Sequence, residues 1–128
     1  MLDWLNGSRP GAELASLHAD GRLAALLPEV DRLYGIPQPI EHHPEVDTGA
    51  HMELCLDAAS RLGASPSARL AVLLHDLGKG VTDPAHWPSH VDHEALGVPL
   101  VKAVCQRFGI RQRRRCCPTT LWAYRESD

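Results

Sequence analysis

Hydrophobic positions recur at three- and four-residue spacing through most of the chain, and no stretch alternates strictly between apolar and polar residues. The first pattern is typical of a helix with one buried face, whereas strict alternation would indicate a half-buried strand. We therefore predict an all-α fold whose helices cover residues 11–18, 21–34, 49–62, 66–77 and 90–108.

Capping residues mark the two central helices. Asp47 or Thr48 is suited to cap the first of them, and Ser65 followed by Pro66 is suited to begin the second. Gly78 follows the second helix and predicts its end. Because both helices have recognisable ends, their lengths can be used to place residues in space.

Three further segments are expected to depart from regular helix. Residues 35–47 contain three prolines, which predict an extended loop. Residues 78–89 predict a second loop. Gly97 and Pro99 lie inside the last helix, so we expect a kink or a late restart of the helix there, and Gly109 is suited to cap its end.

The short turn around Gly63 predicts that the two central helices pack antiparallel. His51 lies twelve residues before Gly63 and His75 twelve residues after it, so both should lie roughly 18 Å from the turn. Asp76 is adjacent to His75, about 100° around the helix. These three residues predict a divalent-metal half-site at one end of the helix pair. The alternative is a buried polar cluster without metal, in which Asp76 requires hydrogen bonds.

Composition narrows the class of protein. The 128 residues carry 44% hydrophobic and 23% charged residues with a net charge of -3, which fits one domain of ordinary composition. No apolar run approaches the roughly 20 residues that span a bilayer, and the N-terminus lacks a signal-peptide pattern. We therefore expect a cytoplasmic protein without a membrane partner. Cys55 and Cys105 are expected to act as small buried hydrophobic residues.

The pattern of the candidate ligands resembles a known family. His51, the His75–Asp76 doublet and the Gly78–Lys79 pair are similar to the HD superfamily of metal-dependent phosphohydrolases. The segments PEVDTGAH and HDLGKG, with their surroundings, most resemble the HD region of bacterial multifunctional CCA-adding tRNA nucleotidyltransferases. The likeness covers residues 20 to 110.

The resemblance implies an all-α, HD-type domain that hydrolyses phosphoesters with a divalent metal, nickel or magnesium, or else manganese or cobalt. His51, His75 and Asp76 would hold the metal, Asp76 would orient the attacking water, and Lys79 would contact the substrate phosphate. Implied substrates are 2′,3′-cyclic nucleotides, 2′-nucleotides and pyrophosphate, in the processing or repair of the tRNA 3′ end. Homodimer formation is compatible with this resemblance. The rival interpretation is a truncated, non-catalytic helical module that supports tRNA binding or dimerisation of a nucleotidyltransferase domain.

Lys79, His90 and His93 each have two possible interpretations. Lys79 is either the phosphate contact or a solvated lysine at a helix C-terminus. His90 and His93 are candidates for a second metal or a phosphate contact, and the alternative is the polar start of a helix. The nucleotidyltransferase domain has no counterpart in this sequence, so we expect no CCA addition by this chain alone.

The last segment departs from the family pattern. After Ile110 the sequence RQRRRCCPTTLWAYRESD lacks the periodicity of the further helix that carries the last acidic ligand in the family. We therefore expect a helical lead-in over 1–34, a partial HD domain over 35–110, a disordered basic tail over 111–128, and impaired activity. The tail also holds candidate contacts to RNA phosphates, Arg111, Arg113, Arg114 and Arg115.

Overall fold

The structure is a computed structural model that describes residues 2–37, 47–87, 89–114 and 122–126. It is mainly helical, which confirms the predicted fold class. The α-helices are α1 (Pro10–Ala19), α2 (Arg22–Leu26), α3 (Pro28–Asp31), α4 (Thr48–Arg61), α5 (Pro66–Leu74) and α6 (His93–Phe108). Short 3-10 helices cover Asp3–Asn6, Leu77–Val81 and Pro84–His86. None of the described helices is long and apolar enough to cross a membrane.

The predicted helix over 21–34 is wrong in one respect, because two short helices, α2 and α3, replace it. The break falls at Leu27, whose φ of -140° and ψ of 71° lie outside the helical region. Pro28 causes the break, since it has no N–H to donate and disfavours helical geometry in the residue before it. Pro28 then occupies the first turn of α3, where proline is tolerated.

The caps of the central helices agree with the prediction. The Asp47 side chain accepts a hydrogen bond from the Ala50 N–H at 2.9 Å, and the Ser65 hydroxyl accepts one from the Ala68 N–H at 3.1 Å. Each cap satisfies an N–H group that has no partner within its own helix. The start of each helix is therefore set by local sequence.

The segment after α5 differs from the prediction. The α-helix ends at Leu74, so His75 is its C-terminal cap, and the 3-10 helix Leu77–Val81 follows where a loop was expected. The last helix begins at His93 and continues through Gly97 and Pro99 to Phe108. It does not restart after these two residues, so the predicted late restart is wrong. Gly109 caps α6 with a left-handed φ of 66°, as predicted.

One hydrophobic core joins the lead-in to the later helices. Its fully buried leucines come from both sides of residue 35, namely Leu14, Leu23, Leu27, Leu33, Leu56, Leu73, Leu74 and Leu77. Cys105 is also buried, as predicted. The division of the chain into lead-in, HD-like part and tail stays a prediction.

The 3-10 helix after α5 approaches α6 unusually closely. A methyl group built on Gly78 would lie only 1.7 Å from the backbone oxygen of His93 and 2.8 Å from the backbone nitrogen of Gly97. Only glycine permits such an approach of two backbones. The contact fixes the segment that carries Asp76 and Lys79 against the first turns of α6.

A short antiparallel ribbon follows α6, where the sequence predicted a disordered tail. Strand β1 (Ile110–Arg114) pairs with β2 (Trp122–Glu126), and the register sets Ile110 opposite Glu126. Strand β2 lies against α5. The described part of the tail is therefore regular structure. The absence of strict apolar–polar alternation did not exclude strands here, because a five-residue strand offers few positions to alternate.

An ion pair connects the lead-in to the end of α6. The guanidinium of Arg107 donates from Nη1 to Glu29 Oε1 at 3.0 Å and from Nη2 to Glu29 Oε2 at 2.6 Å. The Glu29 side chain is only 6% exposed, so both carboxylate oxygens depend on this partner. The hydrogen bonds from Arg107 hold the pKa of Glu29 below its ordinary value, against the opposing effect of burial.

We expect Glu29→Gln to lower the free energy of unfolding by about 1–2 kcal/mol at pH 7, because a charge-assisted pair is lost. The folded-state pKa of Glu29 lies below the unfolded value, so its contribution is present above pH 4.5 and disappears as the pH falls through the folded pKa. Urea unfolding of both proteins between pH 7 and pH 3 measures this. The difference between them should shrink below pH 4.5. Glu13→Gln, at an exposed position, is the control and should cost little at any pH.

Candidate metal centre

The structure brings together the three residues that the helix spacing selected. His51, His75 and Asp76 each offer one ligand atom, and these atoms all lie within 4.8 Å of one another. His51 lies in the first turn of α4, His75 caps the end of α5, and Asp76 follows directly. The helix hairpin therefore places two residues that are 24 positions apart in sequence at the same end of the pair, as predicted.

Backbone contacts orient the imidazole of His75. Its Nδ1 is hydrogen bonded to the carbonyl oxygen of Val72, and a carbonyl can only accept, so Nδ1 must carry the proton. Its Nε2 then points to Asp76 Oδ2 at 3.1 Å. This arrangement, in which one ring nitrogen donates to the backbone and the other faces the site, is usual for metal-ligating histidines.

The protonation of His75 is coupled to Asp76. Partial burial alone would lower the pKa of His75, but the hydrogen bond and the negative charge of Asp76 outweigh it and raise that pKa. The raised pKa favours a proton on Nε2, the ring nitrogen that faces Asp76. A histidine ligates a metal as the neutral imidazole, so metal affinity is expected to depend on pH.

Asp76 is a buried carboxylate with several positively charged or polar neighbours. It is 5% exposed, and Lys79 Nζ lies 3.2 Å from its Oδ2. Burial alone would raise the pKa of Asp76, but the hydrogen bond and charge of His75, together with Lys79, lower it well below the ordinary value. The carboxylate is thus ionised at neutral pH, as metal ligation requires.

His93, the first residue of α6, also lies near the Asp76 carboxylate. Its Nδ1 donates to the carbonyl oxygen of His90 at 3.1 Å, and its Nε2 lies 3.8 Å from Asp76 Oδ1. The tautomer matches that of His75, with Nε2 turned toward the carboxylate. His93 is therefore positioned for the second-metal or phosphate role that the sequence suggested, and that role stays a prediction.

His90 has a different environment. It is 1% exposed, and its Nε2 lies 2.6 Å from the Pro37 carbonyl oxygen while its Nδ1 lies 2.7 Å from Thr82 Oγ1. Burial lowers the pKa of His90, although the hydrogen bond to Pro37 opposes this, so the neutral ring donates from Nε2 and accepts at Nδ1. The Nε2 bond joins His90 to Pro37, and the Nδ1 bond joins it to Thr82. A ligand role for His90 would break one of these bonds.

Cys55 departs from its predicted role as a buried hydrophobic residue. It is half-buried, and its Sγ lies 3.2 Å from His51 Nε2, one helical turn along α4. The sequence offered a signal for this contact in the four-residue spacing. The thiol therefore contributes to the surroundings of a candidate ligand.

The donor set fits a divalent ion. Two imidazole nitrogens and a carboxylate oxygen suit borderline metals such as Ni²⁺ and Co²⁺, whereas Mn²⁺ and Mg²⁺ prefer oxygen donors. Donors about 2.1 Å from one ion lie at most about 4.2 Å apart, a separation comparable to the 4.8 Å within which the three ligand atoms lie. In the described part of the chain, the donor group consists of these three side chains.

The arginines of the tail lie apart from this cluster in sequence and in secondary structure. Arg111 is exposed, and the backbone of β1 includes Arg113 and Arg114. Arg115 lies outside the described residues. Their contact with RNA phosphates stays a prediction.

Comparison with known proteins agrees with this geometry. The family model described as HD domain matches residues 48–126, which extends beyond residue 110, where the sequence predicted the HD-like part to end. No solved structure matches the chain.

The most similar curated relatives carry one name. The chain is 52% identical to a multifunctional CCA protein of Methylococcus capsulatus over 77% of its own length and 23% of that protein. It is 52% identical to one of Pseudomonas aeruginosa over 84% and 26%, respectively, and 48% identical to one of Xanthomonas campestris pv. campestris over 87% and 27%. The chain thus spans about a quarter of the length of these relatives. Since the family model covers more than half of it, the chain belongs to the HD domain family.

Proposed function

We propose that this chain is a metal-dependent phosphohydrolase domain that cleaves 2′,3′-cyclic phosphodiesters and related nucleotide phosphoesters. One observation carries the proposal: in a member of the HD family, two histidines and an ionised aspartate converge beside a lysine ammonium. The pairing of metal donors with a nearby cation suits a substrate with a phosphate group. Nickel, magnesium, manganese and cobalt are the metals to compare.

Each residue has a distinct task in this proposal. A divalent ion held by His51, His75 and Asp76 supplies Lewis acidity, lowering the pKa of a water molecule and polarising a phosphoryl oxygen. Asp76 orients the attacking water through its second oxygen. Lys79 and His93 neutralise negative charge on the phosphate. The water oxygen bonds to phosphorus while the bond to one ribose oxygen breaks, and that oxygen takes up a proton.

The biological setting is proposed from the relatives. Their name refers to CCA, the terminal sequence of tRNA, and a 2′,3′-cyclic phosphate is a product of RNA cleavage. We therefore propose a role in processing or repair of the tRNA 3′ end, in the cytoplasm. Dimerisation stays a prediction from the sequence.

The test uses His51→Ala, which removes one donor from the first turn of α4. We expect it to lower the affinity for Ni²⁺ or Mn²⁺ by about 10–100-fold, and to lower the rate of 2′,3′-cyclic AMP hydrolysis at limiting metal. His86→Ala is the matched control, because His86 is exposed in a 3-10 helix outside the cluster. Calorimetric titration and an assay with and without chelator measure both effects.

The same experiment distinguishes the phosphohydrolase proposal from the rival interpretation, a non-catalytic helical module. A non-catalytic helical module should bind no stoichiometric divalent ion and should hydrolyse no cyclic nucleotide. If the unaltered chain shows neither property, the phosphohydrolase proposal is wrong. If His86→Ala lowers affinity as much as His51→Ala, the metal lies elsewhere.

A further inference from the structure

The turn before α6 contains two residues in the left-handed region of backbone conformation. His90 has a φ of 55° and Asp92 a φ of 65°. Such angles are uncommon for residues other than glycine, and they persist where the surrounding structure holds them. The Asp92 side chain is exposed, whereas His90 is 1% exposed. The contacts of the buried His90 side chain therefore decide how this turn is held.

The His90 ring lies in a hydrogen-bond chain that has one direction. A carbonyl oxygen only accepts, so the Pro37 oxygen at 2.6 Å requires a proton on Nε2 of the neutral ring. Nδ1 then accepts from the Thr82 hydroxyl at 2.7 Å. The same hydroxyl accepts from the indole N–H of Trp87 at 3.1 Å. Since a hydroxyl has one proton, the Lys79 carbonyl oxygen, also 3.1 Å away, receives a weaker contact. These partners fix both the tautomer and the direction of the His90 ring.

The backbone of His90 in turn holds His93. The carbonyl oxygen of His90 accepts from the main-chain N–H and from the ring Nδ1 of His93, each at 3.1 Å. Nε2 of the same ring lies 3.8 Å from Asp76 Oδ1, which is beyond hydrogen-bond distance. The one proton of the neutral His93 ring therefore belongs on Nδ1, and Nε2 is left facing the carboxylate. A change in the direction of the His90 carbonyl would release this ring from the candidate metal centre.

We propose that His90 is a positioning residue, held in its left-handed conformation by Thr82 and Pro37 so that its own carbonyl fixes the tautomer and direction of the His93 ring. This task differs from the second-metal or phosphate role that the sequence suggested, because both ring nitrogens of His90 are engaged within the chain. The inference rests on the proposed function only where it concerns hydrolysis, in which His93 faces the substrate phosphate.

The first measurement uses the unaltered chain in EDTA, without metal or substrate. Nitrogen-15 NMR distinguishes protonated from unprotonated ring nitrogens, and about pH 8.5 lies roughly two units above the ordinary histidine pKa. His93→Gln and His90→Asn identify the two sets of signals by their absence. We expect Nδ1 of His93 and Nε2 of His90 to carry the protons. If His93 carries its proton mainly on Nε2, the proposal is wrong.

The second measurement removes the Thr82 hydroxyl. Thr82→Val keeps the shape of the side chain, and the ratio of Nδ1-protonated to Nε2-protonated His93 should fall at least about fivefold, the factor that one net hydrogen bond contributes. Thr82→Ser keeps a hydroxyl and should restore the ratio of the unaltered chain. Ser89→Ala is the matched control, because it removes an exposed hydroxyl that donates to the His86 carbonyl oxygen in the same loop.

A second variant covers the case in which Thr82→Val does not fold, since Thr82 is buried and the change also leaves the Trp87 indole without its acceptor. In His90→Asn, asparagine tolerates the left-handed conformation, but its side chain is too short to reach both Pro37 and Thr82. The His93 ratio should change in the same direction. Thermal melting shows which variants are folded.

Hydrolysis of 2′,3′-cyclic AMP at saturating Ni²⁺ shows whether the position of His93 matters to the reaction. Misplacing this ring should lower kcat about 10–100-fold. KM and the affinity for Ni²⁺ should stay unchanged, because the three metal donors and Lys79 are retained and the lost contact acts in the transition state. A defect of folding alone would lower the melting temperature without changing the His93 ratio in the folded protein.

Two further results would overturn the proposal. One is an unchanged His93 ratio in the folded variants of Thr82 and His90. The other is an equal change in Ser89→Ala, which would show that loss of any hydrogen bond in this loop moves the ring. Because the NMR samples contain neither metal nor substrate, an absence of hydrolysis contradicts the proposed function, and the tautomer of His93 still decides the role of His90.

Discussion

Replacing Asp76 with asparagine should lower divalent-metal affinity and phosphoester hydrolysis by at least about 100-fold. Asp76 is the one carboxylate in the donor group of the described residues. An amide has the same shape but no charge, so the attraction for a cation is lost while the packing is kept. Loss of groups that merely support a ligand already costs about 10–100-fold, and Asp76 is itself a candidate ligand. Calorimetric titration with Mn²⁺ and a 2′,3′-cyclic AMP assay measure the two losses.

The same change removes the carboxylate charge 3.2 Å from Lys79 Nζ. Because the Lys79 side chain is only 11% exposed, loss of this nearby negative charge is expected to lower stability as well. The double variant Asp76→Asn, Lys79→Met removes both charges and should fold, yet still fail to bind metal. Asp92→Asn is the control, because Asp92 is exposed and asparagine tolerates its φ of 65°. Unchanged hydrolysis in Asp76→Asn would disprove the assignment of the site.

Gly78→Ala should lower the free energy of unfolding by about 3 kcal/mol or more. The added methyl group would overlap the backbone oxygen of His93 at 1.7 Å, and backbone cannot move aside as a flexible side chain can. The 3-10 helix and α6 must separate, which also pulls His93 away from Asp76. Urea unfolding measures the loss of stability. Imidazole NMR signals of His93 should shift in whatever fraction stays folded.

Gly7→Ala provides the comparison for a glycine without this constraint. Its φ is -79° and an added Cβ would lie 3.4 Å from its nearest neighbour, an ordinary contact. That variant should change stability by less than about 1 kcal/mol. If Gly78→Ala proved equally mild, the close approach of the two backbones would not be a feature of the protein in solution.

Capping residues and the known rise of an α-helix were enough to predict the two central helices and the meeting of their candidate ligands. The caps at Asp47 and Ser65 depend on hydrogen bonds over three residues, so the sequence contains all the information needed. The meeting of His51 and His75 depends only on helix rise and a short turn. Both predictions survive even though α5 ends at Leu74, because the 3-10 segment that follows keeps Asp76 at the same end of the hairpin.

The features that were missed depend on distant partners. The bond between His90 and the Pro37 carbonyl spans 53 positions, and no pattern in a single sequence reveals such a pairing. Gly78 was interpreted only as the end of a helix. A glycine is equally typical of a helix end and of a close approach between two backbones, and the sequence does not distinguish the two. The ribbon was missed for a similar reason, since β1 and β2 become stable only when paired and packed against α5.

The ion pair between Asp76 and Lys79 gives the buried carboxylate an internal counter-ion. In small domains such as zinc fingers, the metal itself neutralises the ligands, and the chain unfolds when the metal is removed. Here the lysine ammonium does this within the chain, and a separate leucine core supports the fold. If the centre binds a metal as proposed, the fold should therefore not depend on that metal. Such a domain would then be able to fold before its metal is available.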